Sequence, residues 1–380
     1  MRRAIVHIGT PRTGTTSLQH ILTRLRPALG RAGIWYPDLT PASAAAPHLS
    51  HQHLGEALDG RRPSRERAEL LGRLAAGLRD TRYDVVLLSY EGLCGIPRGL
   101  GVARTLASLF DAHGFAMETL VTVKPQSEYL NSLYTWRTQF LREGRTFPAF
   151  AAAWMGTARL DLAGMAVPWQ KVSAGRLHVV PVRDRWSGRP LVERTLAEVG
   201  LLDRIAPLLT AADAGLAENR SPGPAAVEVL RRLHQGGARR LLGSRAREAS
   251  RHVEATARSP DTAGFHGVTP ALHAQAAARW QASNDALAMQ AWDAAWADRV
   301  AEPLLLPVNE IAAQPSDPAV EAQLAAILED TCARFGLCLR HGWSARAYGA
   351  ADAAAALAST AWRRGRAAWG MAGGRQGRAS

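Results

Sequence analysis

The chain has 380 residues, of which 47% are hydrophobic and 21% charged, with 34 Gly, 21 Pro and 3 Cys. This composition excludes a mainly disordered, a collagen-like or a disulfide-stapled protein, and the length allows two to three domains. The net charge of +13 is typical of nucleic-acid binders. Only Lys124 and Lys171 among the 46 basic residues are lysines, however, and the arginines are spread along the chain. We therefore expect no nucleic-acid partner.

The chain start and the cysteines favour a cytoplasmic protein. The apolar run at residues 4–8 is too short for a signal peptide, and no stretch of about 18 apolar residues predicts a membrane span. Cys94, Cys332 and Cys338 lack the spacing of a zinc site and are predicted to be ordinary thiols in a reducing compartment.

Short apolar runs separated by helical patterns predict an α/β fold. The predicted strands are residues 4–8, 84–89, 119–123 and 177–182. Because the runs are nearly continuous, we expect a parallel sheet buried on both faces by helices. The helix after the first strand is predicted from apolar residues at helical spacing: Leu18, Ile21, Leu22, Leu25 and Leu29.

The second half of the chain has a different composition. Ala, Arg, Leu and Trp dominate residues 222–345, which predicts a mainly helical region, while the polar stretch 243–267 predicts a loop. We therefore divide the chain into an α/β core (1–221), a helical extension packing on it (222–345) and a basic tail (346–380). The tail is predicted to be poorly ordered and allows peripheral contact with a membrane.

The first motif lies between the first strand and its helix. Gly9 and Gly14 bound a loop with the frame of a phosphate-binding P-loop, in which backbone N–H groups and a helix N-terminus face an anion. The lysine expected after the second glycine is replaced by Thr15, and the cation of the loop is Arg12. The loop thus predicts binding of a nucleotide phosphate, without the lysine that an NTPase or kinase needs.

The second motif follows the third predicted strand. Lys124 ends the strand, Pro125 and Glu128 are typical of the start of a helix, and Ser132 lies eight residues after Lys124. The carboxyl edge of such a sheet is where ligands of open α/β folds bind. Alone, a lysine and a serine at this spacing are weak evidence for a binding site, and the pair gains weight from its position relative to the first loop.

These motifs resemble those of the sulfotransferases that use 3′-phosphoadenosine 5′-phosphosulfate (PAPS), in particular the bacterial and carbohydrate-type branch. Residues 9–19 resemble the loop that binds the 5′-phosphosulfate, and Lys124 with Ser132 resembles the 3′-phosphate site. The family usually has lysine where this chain has Arg12, and arginine where it has Lys124. A guanidinium still pairs with phosphate, but it is a poor proton donor.

The resemblance implies a P-loop-like fold, PAPS as co-substrate, no metal, and sulfuryl transfer to an acceptor hydroxyl, with a carbohydrate or glycolipid favoured. Arg12 would stabilise the leaving phosphate, and Lys124 and Ser132 would hold the 3′-phosphate. The implied 5′-phosphosulfate cradle consists of Pro11, Arg12, Thr13, Gly14, Thr15, Thr16 and Ser17.

Two regions offer the general base that an attacking hydroxyl requires. One is Glu91, at the end of the second predicted strand; the other is the cluster of His48, His51 and His53. The sequence leaves both open. It contains no spacing typical of a Ser-His-Asp triad, of an HExxH metal site or of paired glycosidase carboxylates.

Two other classes of function stay open, as does the oligomeric state. A P-loop kinase with a displaced cation would depend on ATP and Mg²⁺. A non-enzymatic polyanion binder would show steeply salt-dependent DNA binding that survives Arg12→Ala.

Overall fold

The computed structural model describes residues 2–44, 46–95, 99–173, 176–214, 221–315 and 317–339. Within them, the sheet has five parallel strands in the order β2-β3-β1-β4-β5. The strands are β1 (Arg2–His7), β2 (Ile34–Trp35), β3 (Val85–Ser89), β4 (Phe115–Val123) and β5 (Leu177–Pro181).

Helices cover most of the remaining described residues. In chain order they are α1 (Thr15–Arg24), α2 (Arg26–Arg31), α3 (Gln52–Leu58), α4 (Ser64–Leu78), α5 (Gly99–Asp111), α6 (Gln126–Gln139), α7 (Phe147–Met155), α8 (Leu162–Gln170), α9 (Leu191–Glu198), α10 (Leu202–Ile205), α11 (Ala211–Ala214), α12 (Pro224–Gln235), α13 (Ala238–Leu242), α14 (Ala246–Thr256), α15 (Pro270–Trp292), α16 (Trp296–Arg299) and α17 (Pro318–Phe335).

The sheet is buried on both faces, as its apolar strands predict. Ala4 and Val6 of β1 enter one apolar core, while Ile5 between them enters another, because successive side chains of a strand point to opposite faces. All five residues of β3 are buried. The predicted P-loop-like α/β fold with a mainly helical C-terminal region is therefore confirmed.

Several elements differ from the prediction, and β1 spans Arg2–His7 instead of residues 4–8. The first predicted helix divides at Leu25, because Pro27 in the first turn of α2 has no N–H group with which to continue α1. Strand β4 begins at Phe115, four residues early, since the charged Glu118 interrupts its apolar pattern. The two-residue strand β2 is too short to stand out in the sequence.

The chain separates into two compact units, each assembled from three segments. The first contains the sheet and comprises Met1–Leu133, Thr157–Arg220 and Val268–Leu306; the second comprises Tyr134–Gly156, Ser221–Gly267 and Pro307–Ser380. These units differ from the contiguous division predicted at residues 221 and 345. The predicted basic tail, 346–380, lies outside the described residues.

The second unit has its own helical core. The loop predicted at residues 243–267 is wrong for Ala246–Thr256, which form α14. Ala249, Val253 and Ala257 recur every fourth residue and are fully buried in this core. The apolar stripe is narrow, so it is hidden in a segment whose average composition is polar.

None of the helices in the described part of the chain is long and apolar enough to cross a membrane.

Candidate functional site

The loop between β1 and α1 has the backbone of an anion-binding turn. Gly9, Arg12 and Gly14 have positive φ angles of 40°, 68° and 78°. Gly14 immediately precedes α1 and is left-handed, so the N-terminus of the helix is directed toward the loop. Arg12 is a non-glycine residue in this region, which costs about 1–2 kcal/mol of backbone strain.

The underside of the loop is hydrogen-bonded to β4. The Thr13 hydroxyl donates to the Thr10 carbonyl oxygen at 2.6 Å, and its Oγ1 lies 2.6 Å from Oγ1 of Thr122. The Thr10 hydroxyl in turn donates to the Thr122 carbonyl oxygen at 3.0 Å. The Thr13 hydroxyl therefore makes its hydrogen bonds within the protein, which argues against Thr13 as a direct phosphate ligand. It fixes the loop to the strand that leads to Lys124.

The other cradle residues differ in exposure. Thr15 and Ser17 are buried, Gly14 is exposed, and Pro11, Arg12 and Thr16 are half-buried. Arg12 and Thr16 are thus the side chains of the predicted cradle that combine hydrogen-bonding capacity with access from solvent.

A side chain would be crowded at both loop glycines. A Cβ atom at Gly14 would lie 2.5 Å from Cδ2 of Leu191. One at Gly9 would lie 3.1 Å from Nε2 of His7 and 3.4 Å from Cβ of Glu91. The second distance places Glu91 against the floor of the loop.

A polar network connects Glu91 to β1 and β3. The amide of Gln19, in α1, donates to Glu91 Oε2 at 3.0 Å and to Ser89 Oγ at 3.1 Å. His7 Nδ1 lies 2.9 Å from the same Ser89 oxygen. Complete burial lowers the pKa of His7 to about 4, so this imidazole is neutral at physiological pH. The network holds the Glu91 carboxylate in a fixed place beside the loop.

Lys124 and Ser132 form the second half of the site. Strand β4 ends at Val123, and Ser132 lies in the second turn of α6, so the two side chains meet: Lys124 Nζ donates to Ser132 Oγ at 2.7 Å. Lys124 is only 4% exposed.

The surroundings of Lys124 favour an anion. Burial, with the positive charges of Arg12 and Arg183, lowers the pKa of Lys124 to about 8, and Glu128 opposes this only in part. Glu128 is itself paired with Arg183, at 3.0 Å. A phosphate beside the ammonium would form charge-assisted hydrogen bonds that compensate for the solvation lost on burial. These residues therefore fit such a group.

The structure brings the two predicted motifs to one edge of the sheet. Strands β1 and β4 are parallel neighbours, and the Thr10 and Thr13 hydroxyls bond to Thr122, two residues before Lys124. The charge of Arg12 is close enough to lower the pKa of Lys124. Arg12 and Lys124 therefore lie near enough for their positive charges to interact.

His51 is placed differently from the prediction. Its Nε2 donates to the Pro37 carbonyl oxygen at 2.9 Å, and its Nδ1 accepts from the Ser89 N–H at 2.8 Å. Both ring nitrogens are in use, and burial lowers the pKa of His51 to about 4. This geometry argues against His51 as a base, because its role is to join the end of β3 to the segment after β2.

His53 remains the alternative base from the histidine cluster. Its ring lies edge-on to that of His48, with centroids 5.3 Å apart. Burial and the nearby charges of Arg62 and His48 lower the pKa of His53. Its Nδ1 is buried and makes no hydrogen bond.

The sequence analysis missed His7, Gln19 and Thr122 as residues of the site. His7 and Thr122 are polar residues at the carboxyl ends of buried strands, and Gln19 is a buried polar residue of α1. That position is the signal that would have found them, since a buried polar side chain needs a partner.

Comparisons with known proteins add little to this geometry. No protein-family model and no curated protein matches the chain. Among solved structures, it is similar to the crystal structure of a sulfotransferase from Alicyclobacillus acidocaldarius, at 16% identity and a TM-score of 0.32 over 58% of this chain and 84% of that one. So distant a likeness carries no argument about activity. Within the described residues, no cluster of three or more His, Cys, Asp or Glu side chains is arranged to hold a metal ion.

Proposed function

We propose that this protein is a sulfotransferase that moves a sulfuryl group from PAPS to an acceptor hydroxyl. The observation that carries the proposal is the placement of Lys124 and Ser132, bonded at 2.7 Å, beside a phosphate-type loop attached to the same strand. Two separate anion sites at one sheet edge suit a nucleotide with phosphates on both its 5′ and 3′ positions.

The loop would hold the 5′-phosphosulfate. Its backbone N–H groups and the N-terminus of α1 provide partial positive charge, and Arg12 adds a full one. Charge develops on the bridging oxygen as the sulfur–oxygen bond to the phosphate breaks. Groups already oriented toward that oxygen lower the barrier without reorganisation.

Lys124 and Ser132 would hold the 3′-phosphate. The buried ammonium of Lys124 lacks the solvation it has in water, and a dianionic phosphate compensates for this loss. ATP has no phosphate at this position. The pair therefore supplies selectivity for PAPS over ATP.

Glu91 would accept the proton of the acceptor hydroxyl. It lies against the loop and is oriented by Gln19, and a carboxylate there suits general-base work. The acceptor oxygen forms its bond to sulfur, the bond between sulfur and the phosphate oxygen breaks, and the proton passes to Glu91. His53 is the alternative base. A carbohydrate or glycolipid hydroxyl is the proposed acceptor.

A thermal-shift comparison tests the proposal. We expect 3′-phosphoadenosine 5′-phosphate to raise the melting temperature far more than ADP, ATP or Mg-ATP, because binding to the folded state stabilises it by mass action. Lys124→Ala should abolish this selectivity. Lys171→Ala is the matched control, since the only other lysine of the chain is exposed.

Two results would contradict the proposal. A larger shift with Mg-ATP than with the bisphosphate would favour the kinase alternative. Tight, salt-dependent DNA binding that persists in Arg12→Ala, without any bisphosphate shift, would favour the polyanion binder.

A further inference from the structure

Three residues far apart in the chain form a hydrogen-bonded relay in the first unit. Ser127 Oγ lies 2.8 Å from His273 Nδ1, across 146 positions of sequence. The other ring nitrogen, His273 Nε2, lies 2.9 Å from Glu302 Oε2. Serine, imidazole and carboxylate are thus joined in the order found in serine hydrolases.

The partners fix the direction of the relay. An ionised carboxylate only accepts hydrogen bonds, so Glu302 requires the proton of His273 on Nε2. Nδ1 then carries a lone pair and accepts the hydroxyl proton of Ser127. This is the arrangement of a nucleophile, a base and an orienting acid, with the two ring nitrogens exchanged relative to the common triad.

The relay opens on a cavity of about 420 Å³. Its volume is in the range of small-molecule sites. The apolar part of the lining suits a short acyl chain and includes Ala274, Ala277, Ala278, Trp296 and Val300. Ser127 also lines the cavity, although the residue is only 1% exposed at the protein surface.

The cavity is separate from the site proposed for PAPS. Among the described residues, its lining includes Pro125, Gln126 and Ser127 but neither Lys124 nor any residue of the β1–α1 loop. Two of its amide side chains, Gln126 and Asn284, exchange hydrogen bonds of 2.8 and 3.1 Å. The relay adds a hydroxyl joined to an imidazole to the lining of this cavity.

The position of Ser127 on α6 adds a second element. It is the second residue of the helix, directly after the strand β4. The first-turn N–H groups of a helix carry partial positive charge, which stabilises an oxyanion that forms near them.

We propose that Ser127, His273 and Glu302 form an acyl-ester hydrolase site. Ser127 Oγ attacks the carbonyl carbon of the ester while its proton passes to His273 Nδ1. The carbon–oxygen bond to the alcohol breaks, and Nδ1 returns the proton to the departing alcohol. Water then attacks the acyl-serine with proton transfer through the same nitrogen, which releases the acid and restores Ser127.

Labelling with a fluorophosphonate probe tests this site on the full chain. The probe forms a covalent bond with activated serines, and peptide mass spectrometry locates it. We expect modification at Ser127, together with hydrolysis of p-nitrophenyl acetate. Ser127→Ala should lose both, and His273→Ala should slow both about 100-fold. Ser187→Ala, which removes a half-buried serine that is not part of the relay, should change neither.

Glu302→Gln keeps the test decisive if the other variants fail to fold. The Glu302 side chain is 63% exposed, so this substitution spares the core. It should slow labelling at least about tenfold, while the thermal melting of the protein stays unchanged. Absence of label at Ser127 in the wild type, or an equal labelling rate in Glu302→Gln, would overturn the proposal and leave the relay a structural contact between α6 and α15.

Discussion

The two halves of the candidate site hold their cations by different physical means. Arg12 lies on a loop, is half-buried and has a left-handed backbone with φ of 68°. Lys124 lies at the end of a strand, is 4% exposed and donates to Ser132. The first cation is placed by backbone conformation and the second by burial.

This difference suggests a division of work. The loop half contains Glu91 and retains access to solvent, as a place of bond formation and cleavage requires. The Lys124 half is desolvated, which strengthens its attraction for an anion and suits recognition. Five experiments test whether the halves are separable.

The largest effect is expected from Glu91→Gln. Loss of the proposed base should lower the kcat of sulfuryl transfer about 100-fold or more. The melting-temperature increase with 3′-phosphoadenosine 5′-phosphate should stay unchanged, because Lys124 and Arg12 remain. His53→Gln serves as the comparison and should leave kcat near that of the wild type. The opposite pattern would assign the base to the histidine cluster.

Lys124→Met should stabilise the ligand-free protein. The pKa of Lys124 is about 8 in the folded state against an ordinary 10.5, so the folded state binds this proton less well than the unfolded state. Below pH 8 the wild type therefore bears the whole penalty, on the order of 3 kcal/mol. The advantage of the variant should fade between pH 8 and 10.5 in urea unfolding.

The same titration predicts the pH dependence of binding. The affinity for the bisphosphate should begin to fall as the pH rises above about 8, because the ligand-free Lys124 loses its charge there. Calorimetric titrations at several pH values would measure this. Lys171→Met should show neither the stability gain nor a changed pH profile, and an affinity that is flat to pH 10 would show that Lys124 is not a ligand.

Thr13→Val tests the attachment between the halves. It removes the hydroxyl that bonds to Thr10 and Thr122 and should cost about 1–3 kcal/mol of unfolding free energy. The double variant Thr13→Val/Thr122→Val should cost less than the sum of the single variants, because it leaves fewer unpaired groups. Strict additivity in urea unfolding would mean that the two hydroxyls do not interact.

The smallest effect is expected from a comparison of Arg12→Gly with Arg12→Ala, which distinguishes the backbone strain at this position from the charge of its side chain. Arg12→Gly and Arg12→Ala both remove the cation and should weaken bisphosphate binding equally. The glycine variant should nevertheless be about 1 kcal/mol more stable, since alanine keeps a Cβ in the left-handed conformation. Equal stabilities in thermal unfolding would argue against strain at this position.

Local patterns in the sequence account for much of the fold but for less of the site. The strands are short, apolar and bounded by polar residues, so four of them were predictable to within a few residues. The sequence also indicated Lys124 and Ser132, because a strand end and a helical spacing of eight place them together. The role of His51 was not predictable, since its partners Pro37 and Ser89 belong to separate elements.

Pairings across long stretches of chain explain the remaining differences. Ser127, His273 and Glu302 are too far apart in the sequence for a short motif to indicate their relay. Likewise, the segments of each unit are interleaved along the chain, so composition alone does not reveal which belong together.

The two neutral imidazoles under the sheet edge make the first unit sensitive to acid. His7 and His51 both have a pKa of about 4 in the folded state, against an ordinary 6.5. Between about pH 4 and 6.5 the two histidines are protonated in the unfolded chain but neutral in the folded protein. Acidification through this range therefore favours unfolding. The burial that keeps His7 and His51 neutral at neutral pH therefore limits how far the pH can fall before the first unit loses its stability.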